Sequence, residues 1–234
     1  MCEYIVQHAS STDFLGLLVR GKTLDSSTER ATLSTLDHSS HPVTASVPCD
    51  RKSVIKPNMQ VSAIRQRDGQ LECIKVRWGW SPVWSMGTLP PRTHLPLHLV
   101  MRSKVFDRMR GEGRVLVAVD GWYEATADDP SLPGRRFSYT TSRQTTPIFL
   151  AALAQISERS SGCDGLVLMT CDDTGGNHQR LLAFGADNAL EWLRPQLAWE
   201  QAQQMAIHMA VDEPQLEHIL TSQRMLKPST EKRV

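Results

Sequence analysis

No excess of either charge marks this 234-residue chain: 26 Lys and Arg stand against 25 Asp and Glu, a formal net charge of +1, and the pI is near 7.7. That balance excludes a histone-like basic protein and an acidic tail protein. It still permits a basic groove on a neutral body, because phosphate affinity follows local charge placement. Long apolar runs are also missing. The longest near-apolar stretch, Pro147 to Ile156, falls well short of the roughly 18 residues that a membrane span requires. The start, MCEYIVQHASSTD, lacks the basic-then-apolar order of a secretory signal. Cysteines are few, odd in number and scattered (Cys2, Cys49, Cys73, Cys163, Cys171), and none forms a C-x-x-C pair. A disulfide framework and a zinc site are therefore not expected, and free thiols in a reducing, cytoplasmic setting are. His94 and His98 have i, i+4 spacing, but Pro96 between them breaks a helix and no third ligand is in place. No metal and no cofactor is expected.

What is present reads as one α+β domain over residues 1–226. The expected core is a mostly antiparallel, barrel-like sheet with flanking helices, followed by a disordered tail at 227–234. Apolar spacing predicts a helix over residues 13–20 behind the N-capping run Ser10, Ser11, Thr12, Asp13. The Ser/Thr/His-rich stretch from Thr23 to Ser53 reads as loop. Strands are predicted at Val61–Ile64 and Leu71–Trp78 around the turn signal Arg67-Asp68-Gly69. Further strands are predicted at Arg114–Val119, Arg136–Thr141, Ile148–Ile156 and Gly165–Thr170, and helices at Asp187–Leu193, Trp199–Met205 and Glu213–Leu220. Three tryptophans, Trp78, Trp80 and Trp84, crowd into seven residues of a Gly- and Pro-rich loop.

Three residues stand out chemically. If Met1 is trimmed, as is common before a small residue, Cys2 carries an α-amine and a thiol together. Such a 1,2-aminothiol closes on an aldehyde to a thiazolidine, which an internal cysteine cannot do. With reference values of about 8 for the amine and 8.5 for the thiol, a neighbouring base or cation would help either group react. Glu124, in VDGWYEA at the end of a predicted buried strand, sits among aromatics that favour a raised pKa and acid–base work. His178, in the loop DDTGGNHQR after GLVLMT, is placed for proton transfer. Arg102 and Arg110, in MRSKVFDRMRGEGR, could meet phosphates, although such a run also suits a merely solvated face.

Taken in order, Met1-Cys2, RWGWSPVW, RVLVAVDGWYEA, TPIFLAALA and the late loop His178 resemble one family. It is the SOS response-associated peptidase (SRAP) family of abasic-site processing proteins, which shield single-stranded DNA. Its Trp-Gly-x-x-Pro-x-Trp loop corresponds to Trp78, Gly79, Pro82 and Trp84, and its Asp-Gly-Phe/Trp-Tyr/Phe-Glu-Trp to Asp120, Gly121, Trp122, Tyr123 and Glu124, with Ala125 last. The resemblance implies that Cys2 traps the C1′ aldehyde of an opened abasic sugar, with Glu124 and His178 assisting. It also implies single-stranded DNA carrying abasic sites as the partner of a monomeric protein with no membrane association. Trp78, Trp80, Trp84 and Trp122 would meet bases, and Arg102, Arg110 and Arg180 phosphates. The chain is a diverged member. Glu3-Tyr4 replaces the family's Gly-Arg, Val100 takes the place of its Asn in Asn-Ala-Arg-Ser-Glu-Thr, and Arg180-Leu181-Leu182 replaces Arg-Met-Pro. Two other functions compete: an N-terminal-Cys hydrolase of amides or peptides, in which the α-amine is the base, and a DNA-binding protein without chemistry.

Overall fold

The computed structural model describes residues 1–7, 14–18, 53–85, 87–126, 136–144, 147–157, 163–172 and 179–222. The anticipated loop (apart from Ser53), the anticipated tail and His178 lie outside them. The strands are β1 (Cys2–Gln7), β2 (Ser53–Ile55), β3 (Gln60–Arg67), β4 (Gln70–Arg77), β5 (His94–Pro96), β6 (Arg114–Val119), β7 (Gly121–Ala125), β8 (Arg136–Ser142), β9 (Ile148–Gln155), β10 (Gly165–Asp172), β11 (Gln179–Leu181), β12 (Ala183–Phe184) and β13 (Leu216–Ser222). The helices are α1 over residues 14–18, α2 (Leu97–Arg102), α3 (Asp107–Glu112), α4 (Ala186–Trp192) and α5 (Trp199–His208).

Two sheets build the core. One has eight strands along the path β11-β10-β9-β6-β3-β4, with β5 joined to β10 and β12 to β9; the other has five, in the order β13-β8-β7-β1-β2. Neither path returns on itself, so the expected barrel-like closure gives way to two open sheets. The larger sheet lies in the middle of three layers. Alternate residues of its central strands point to two different cores. Leu116, Ala118, Phe149, Ala151, Leu153, Val167 and Met169 pack with residues of α2, α4 and α5. Val115, Val117, Leu150, Ala152, Leu166 and Leu168 pack with Cys2, Ile5, Ile55 and Trp122 of the smaller sheet. Burial on both faces explains the unbroken apolar runs of β6, β9 and β10.

The β3–β4 hairpin turns on Asp68 (φ 51°) and Gly69 (φ 78°), the paired positive φ of a type I′ turn, as the Asp-Gly signal implied. Two sequence expectations fail here. The helix anticipated over Glu213–Leu220 is a 3₁₀ turn at Glu213–Gln215 followed by β13. β13 pairs with β8 through seven residues, Leu216 opposite Ser142 to Ser222 opposite Arg136, so an open sheet edge overrides the helical spacing. Nor does Glu124 end the buried strand β6. The chain turns at Asp120 and crosses into the smaller sheet, where Glu124 lies inside β7.

Candidate active site

The N-terminal strand, which composition alone did not reveal, places the first candidate. β1 lies between β2 and β7, with Ile5 opposite Ile55 and Trp122, and Cys2 opposite Glu124. The Gln7 side chain ties this strand to the other sheet. Its Nε2 donates to the carbonyls of Ala118 (2.7 Å) and Ser62 (3.0 Å), and its Oε1 accepts from the Ser62 amide (3.0 Å). Between Cys2 and Tyr4 the register shifts by a bulge, a device that re-aims a side chain. The thiol is 4% exposed, and its Sγ donates to the Tyr4 carbonyl at 3.4 Å. Burial, and secondarily the Glu124 carboxylate, push its pKa well above the ordinary thiol value; the terminal ammonium opposes them. That ammonium, on Met1, stands 3.9 Å from Glu124 Oε1. Amine and carboxylate therefore meet at the rim of the inter-sheet core, beside the buried thiol.

A fourth polar group enters from a segment that the motif comparison aligned differently. β5 joins β10 in parallel, with His94 opposite Leu168. The His94 ring meets Trp78 edge-on (5.8 Å between centroids, 79°), and Nδ1 is 2.9 Å from Thr93 Oγ1. Its Nε2 is buried and, among the described residues, has no hydrogen-bond partner. Burial lowers its pKa to about 4, and the terminal ammonium adds to the effect. Val100, placed by that comparison at the family's Asn, is instead fully buried on α2 in the helix-side core. Pro96 ends β5 and caps α2, so the expected break falls where proline allows it. Among the described residues no three His, Cys, Asp or Glu side chains converge as metal ligands.

The nucleic-acid candidates separate by burial. Trp78, Trp80 and Trp122 are interior, at most 4% exposed, so the expectation that they meet bases is corrected: too little of any of these rings is open for a base to stack on. Their indoles serve the core instead, Trp78 Nε1 donating to the Thr93 carbonyl (3.0 Å) and Trp80 Nε1 to Gln155 Oε1 (2.9 Å). Trp84, on the 3₁₀ turn Val83–Ser85, is 67% exposed. It lines a groove of about 260 Å³ together with Pro90, Arg92, Leu99, Arg102 and the buried Trp80. Arg102 is exposed at the end of α2. Arg110 is instead ion-paired to Asp107 one turn away on α3, and Arg180 Nη1 donates to the Val211 carbonyl (2.9 Å). Both therefore act first as internal ties. Arg92, exposed and backbone-paired with Trp80, joins the groove without having been singled out in the sequence.

No helix among the described residues is long and apolar enough to cross a membrane. The fold has relatives among solved structures. A phage-related protein from Bordetella bronchiseptica matches over 94% of this chain and 94% of its own, with a TM-score of 0.69 at 20% identity. A protein from Bacteroides thetaiotaomicron matches over 75% of this chain and 80% of its own, with a TM-score of 0.58 at 14% identity. By sequence, the Abasic site processing protein YedK of Escherichia coli (strain K12) is 27% identical over 158 residues, 65% of this chain and 68% of that protein. The model of the family described as SOS response associated peptidase (SRAP) matches residues 23–228. That match begins after Cys2, so the place of Cys2 in the site rests on the pairing of β1 with β7. Spanning most of the chain, it shows that this protein belongs to the SRAP family.

Proposed function

We propose that this protein captures abasic sites in single-stranded DNA as a covalent thiazolidine on Cys2, as part of a DNA-damage response. One observation carries the reading: Cys2 is fixed in a sheet directly opposite Glu124, with the terminal amine beside the same carboxylate. Removal of Met1 moves the free α-amine onto Cys2, one residue along the same strand. The amine attacks the C1′ aldehyde of the opened sugar, water leaves, and the thiol closes the ring. A buried, protonated thiol is suited to the second step, because it stays neutral until the imine forms and a base removes its proton. Glu124 acts as an acid and base in these steps, and His178 shuttles protons to the sugar ring oxygen. The exposed Trp84 stacks on a base while Arg92 and Arg102 hold phosphates. The similarity to YedK, named for abasic-site processing, supports the substrate class.

The test incubates purified protein, with Met1 removal checked by mass, with single-stranded DNA bearing one abasic site. A denaturation-resistant band is expected, lost in Cys2→Ser and in protein retaining Met1. An equally durable band from Cys2→Ser would refute the thiazolidine. Amide turnover without a band would replace the reading with an N-terminal-nucleophile hydrolase, and salt-sensitive binding alone with a DNA-binding protein lacking chemistry.

A further inference from the structure

We infer that His94 is a proton-transfer residue of the Cys2 site: its free Nε2 takes the proton that the Cys2 nitrogen gives up as it bonds to the aldehyde carbon. The inference rests on the reading of Cys2 as an aminothiol nucleophile. Four features of the structure lead to it. The ring is fixed, because Nδ1 engages Thr93 Oγ1 at 2.9 Å and the ring edge packs against Trp78. The other nitrogen is buried and has no hydrogen-bond partner among the described residues, an arrangement that destabilises the fold and so calls for an explanation. The ring's neighbours Trp78 and Leu168 pack in the same core as Cys2. Finally, burial and, secondarily, the terminal ammonium, itself 3.9 Å from Glu124, lower the ring's pKa, whereas Trp78 and Leu168 on the adjoining elements carry no charge.

In the tautomer that donates Nδ1–H to Thr93 Oγ1, the lone pair on Nε2 is left unengaged. A histidine held neutral here cannot repel the ammonium, and it remains a proton acceptor at physiological pH. Attack by the neutral amine forms the C–N bond, and the carbonyl π pair moves to oxygen. The nitrogen, now positively charged, gives a proton to Nε2. The carbinolamine oxygen takes one proton from the imidazolium and a second from Glu124, and leaves as water as the nitrogen lone pair forms the C=N bond; the iminium N–H then returns a proton to Glu124. The thiol then adds across the imine, its proton ending on the ring nitrogen. Aldehyde plus aminothiol gives thiazolidine plus water, and His94 finishes neutral.

The experiment uses the full chain with Met1 removed and two probes: propanal, read by mass as the aldehyde less one water, and abasic single-stranded DNA, read as a crosslink. Single-turnover rates are measured from pH 5 to 9. His94→Gln keeps a polar atom near Nε2 but cannot accept the proton. It should slow both probes by 10²-fold or more, within the range for loss of a general acid–base group, while leaving the half-saturating DNA concentration unchanged. Thr93→Val, which keeps the imidazole and frees Nδ1, should slow both by about 2- to 10-fold, the worth of one hydrogen bond. It carries the test if His94→Gln does not fold. Rates within threefold of wild type for His94→Gln, or less than twofold slower for Thr93→Val should His94→Gln not fold, overturn the assignment. So does a loss confined to DNA affinity. If wild-type protein forms no adduct with either probe, the aminothiol reading itself fails, and the role of His94 with it.

Discussion

Trp80 and Trp84 lie four residues apart in one loop, yet the structure predicts opposite consequences of deleting them. Trp84 is 67% exposed, so Trp84→Ala removes little buried surface and should change stability by less than about 0.5 kcal/mol. A base stacked on it is worth about 1–3 kcal/mol, so affinity for single-stranded DNA should fall by about 5- to 150-fold. Trp80 is 2% exposed and donates to Gln155 Oε1. Truncating it to alanine should cost about 3–5 kcal/mol, with a further penalty for leaving the Gln155 oxygen without its donor. Against a typical total of about 5–15 kcal/mol, Trp80→Ala should leave a weakly folded protein. Fluorescence anisotropy with a labelled 12-nucleotide strand at fixed salt reads the first effect, and urea denaturation reads the second. A salt titration adds the arginines: Arg92→Ala and Arg102→Ala should each lower the logarithmic salt slope by about 0.7. If Trp84→Ala binds within twofold of wild type, or Trp80→Ala melts at the wild-type urea concentration, the division between groove and core is wrong.

Glu124→Gln should slow single-turnover crosslinking by about 10²- to 10⁴-fold. It should also lower the Cys2 thiol pKa, because it removes the nearest charge raising it; alkylation rate against pH checks this. His94 titrates at about 4 in the fold against an ordinary 6.5. The unfolded chain therefore takes up that proton first. The stability tied to this group is full above pH 6.5 and falls as pH drops toward 4, by about 3 kcal/mol when fully expressed. Urea midpoints should thus decline less steeply below pH 6.5 in His94→Gln than in wild type, and parallel declines would remove His94 as the cause. Gly165→Ala would drive a Cβ into the Gly79 carbonyl oxygen, so it should cost about 1–3 kcal/mol in thermal or chemical melts.

The elements legible from sequence are those whose local pattern matches their burial. RVLVAV, IFLAALAQ and GLVLMT are covered on both faces and read as continuous apolar runs. The β3–β4 hairpin carries its turn chemistry in Asp68-Gly69. β1 escapes because Cys2, Glu3 and Tyr4 have no strong periodicity; the strand exists through its pairing with β7, some 120 residues away. β13 is missed for a related reason, since the edge of β8, not its own composition, makes it a strand. In the site, Cys2 and Glu124 were legible as chemistry but not as cross-strand neighbours. The Trp-rich loop signalled importance without separating one exposed indole from two buried ones. His94 was visible only as half of an unconvincing metal pair, because a buried nitrogen without a partner is a property of the fold. Its signal in the sequence was a histidine immediately before an apolar residue and a proline, too weak to single out.

The register of β1 sets a clock during synthesis. Ile5 to Gln7 can pair with β2 once residue 55 has emerged, but the partner of Cys2 is Glu124. At about 5–20 residues per second, the first two residues stay unpaired for roughly 6 to 25 s after they are made. On the proposed mechanism this interval is when an aminopeptidase reaches the Met1–Cys2 bond most freely, because afterwards Cys2 is buried and held in β1 opposite Glu124 even though Met1 stays exposed. Maturation of the nucleophile is thus a race between trimming and translation. Faster elongation through the first 124 codons, or a shortage of aminopeptidase, should raise the fraction of chains that fold with Met1 still attached and the ring chemistry disabled.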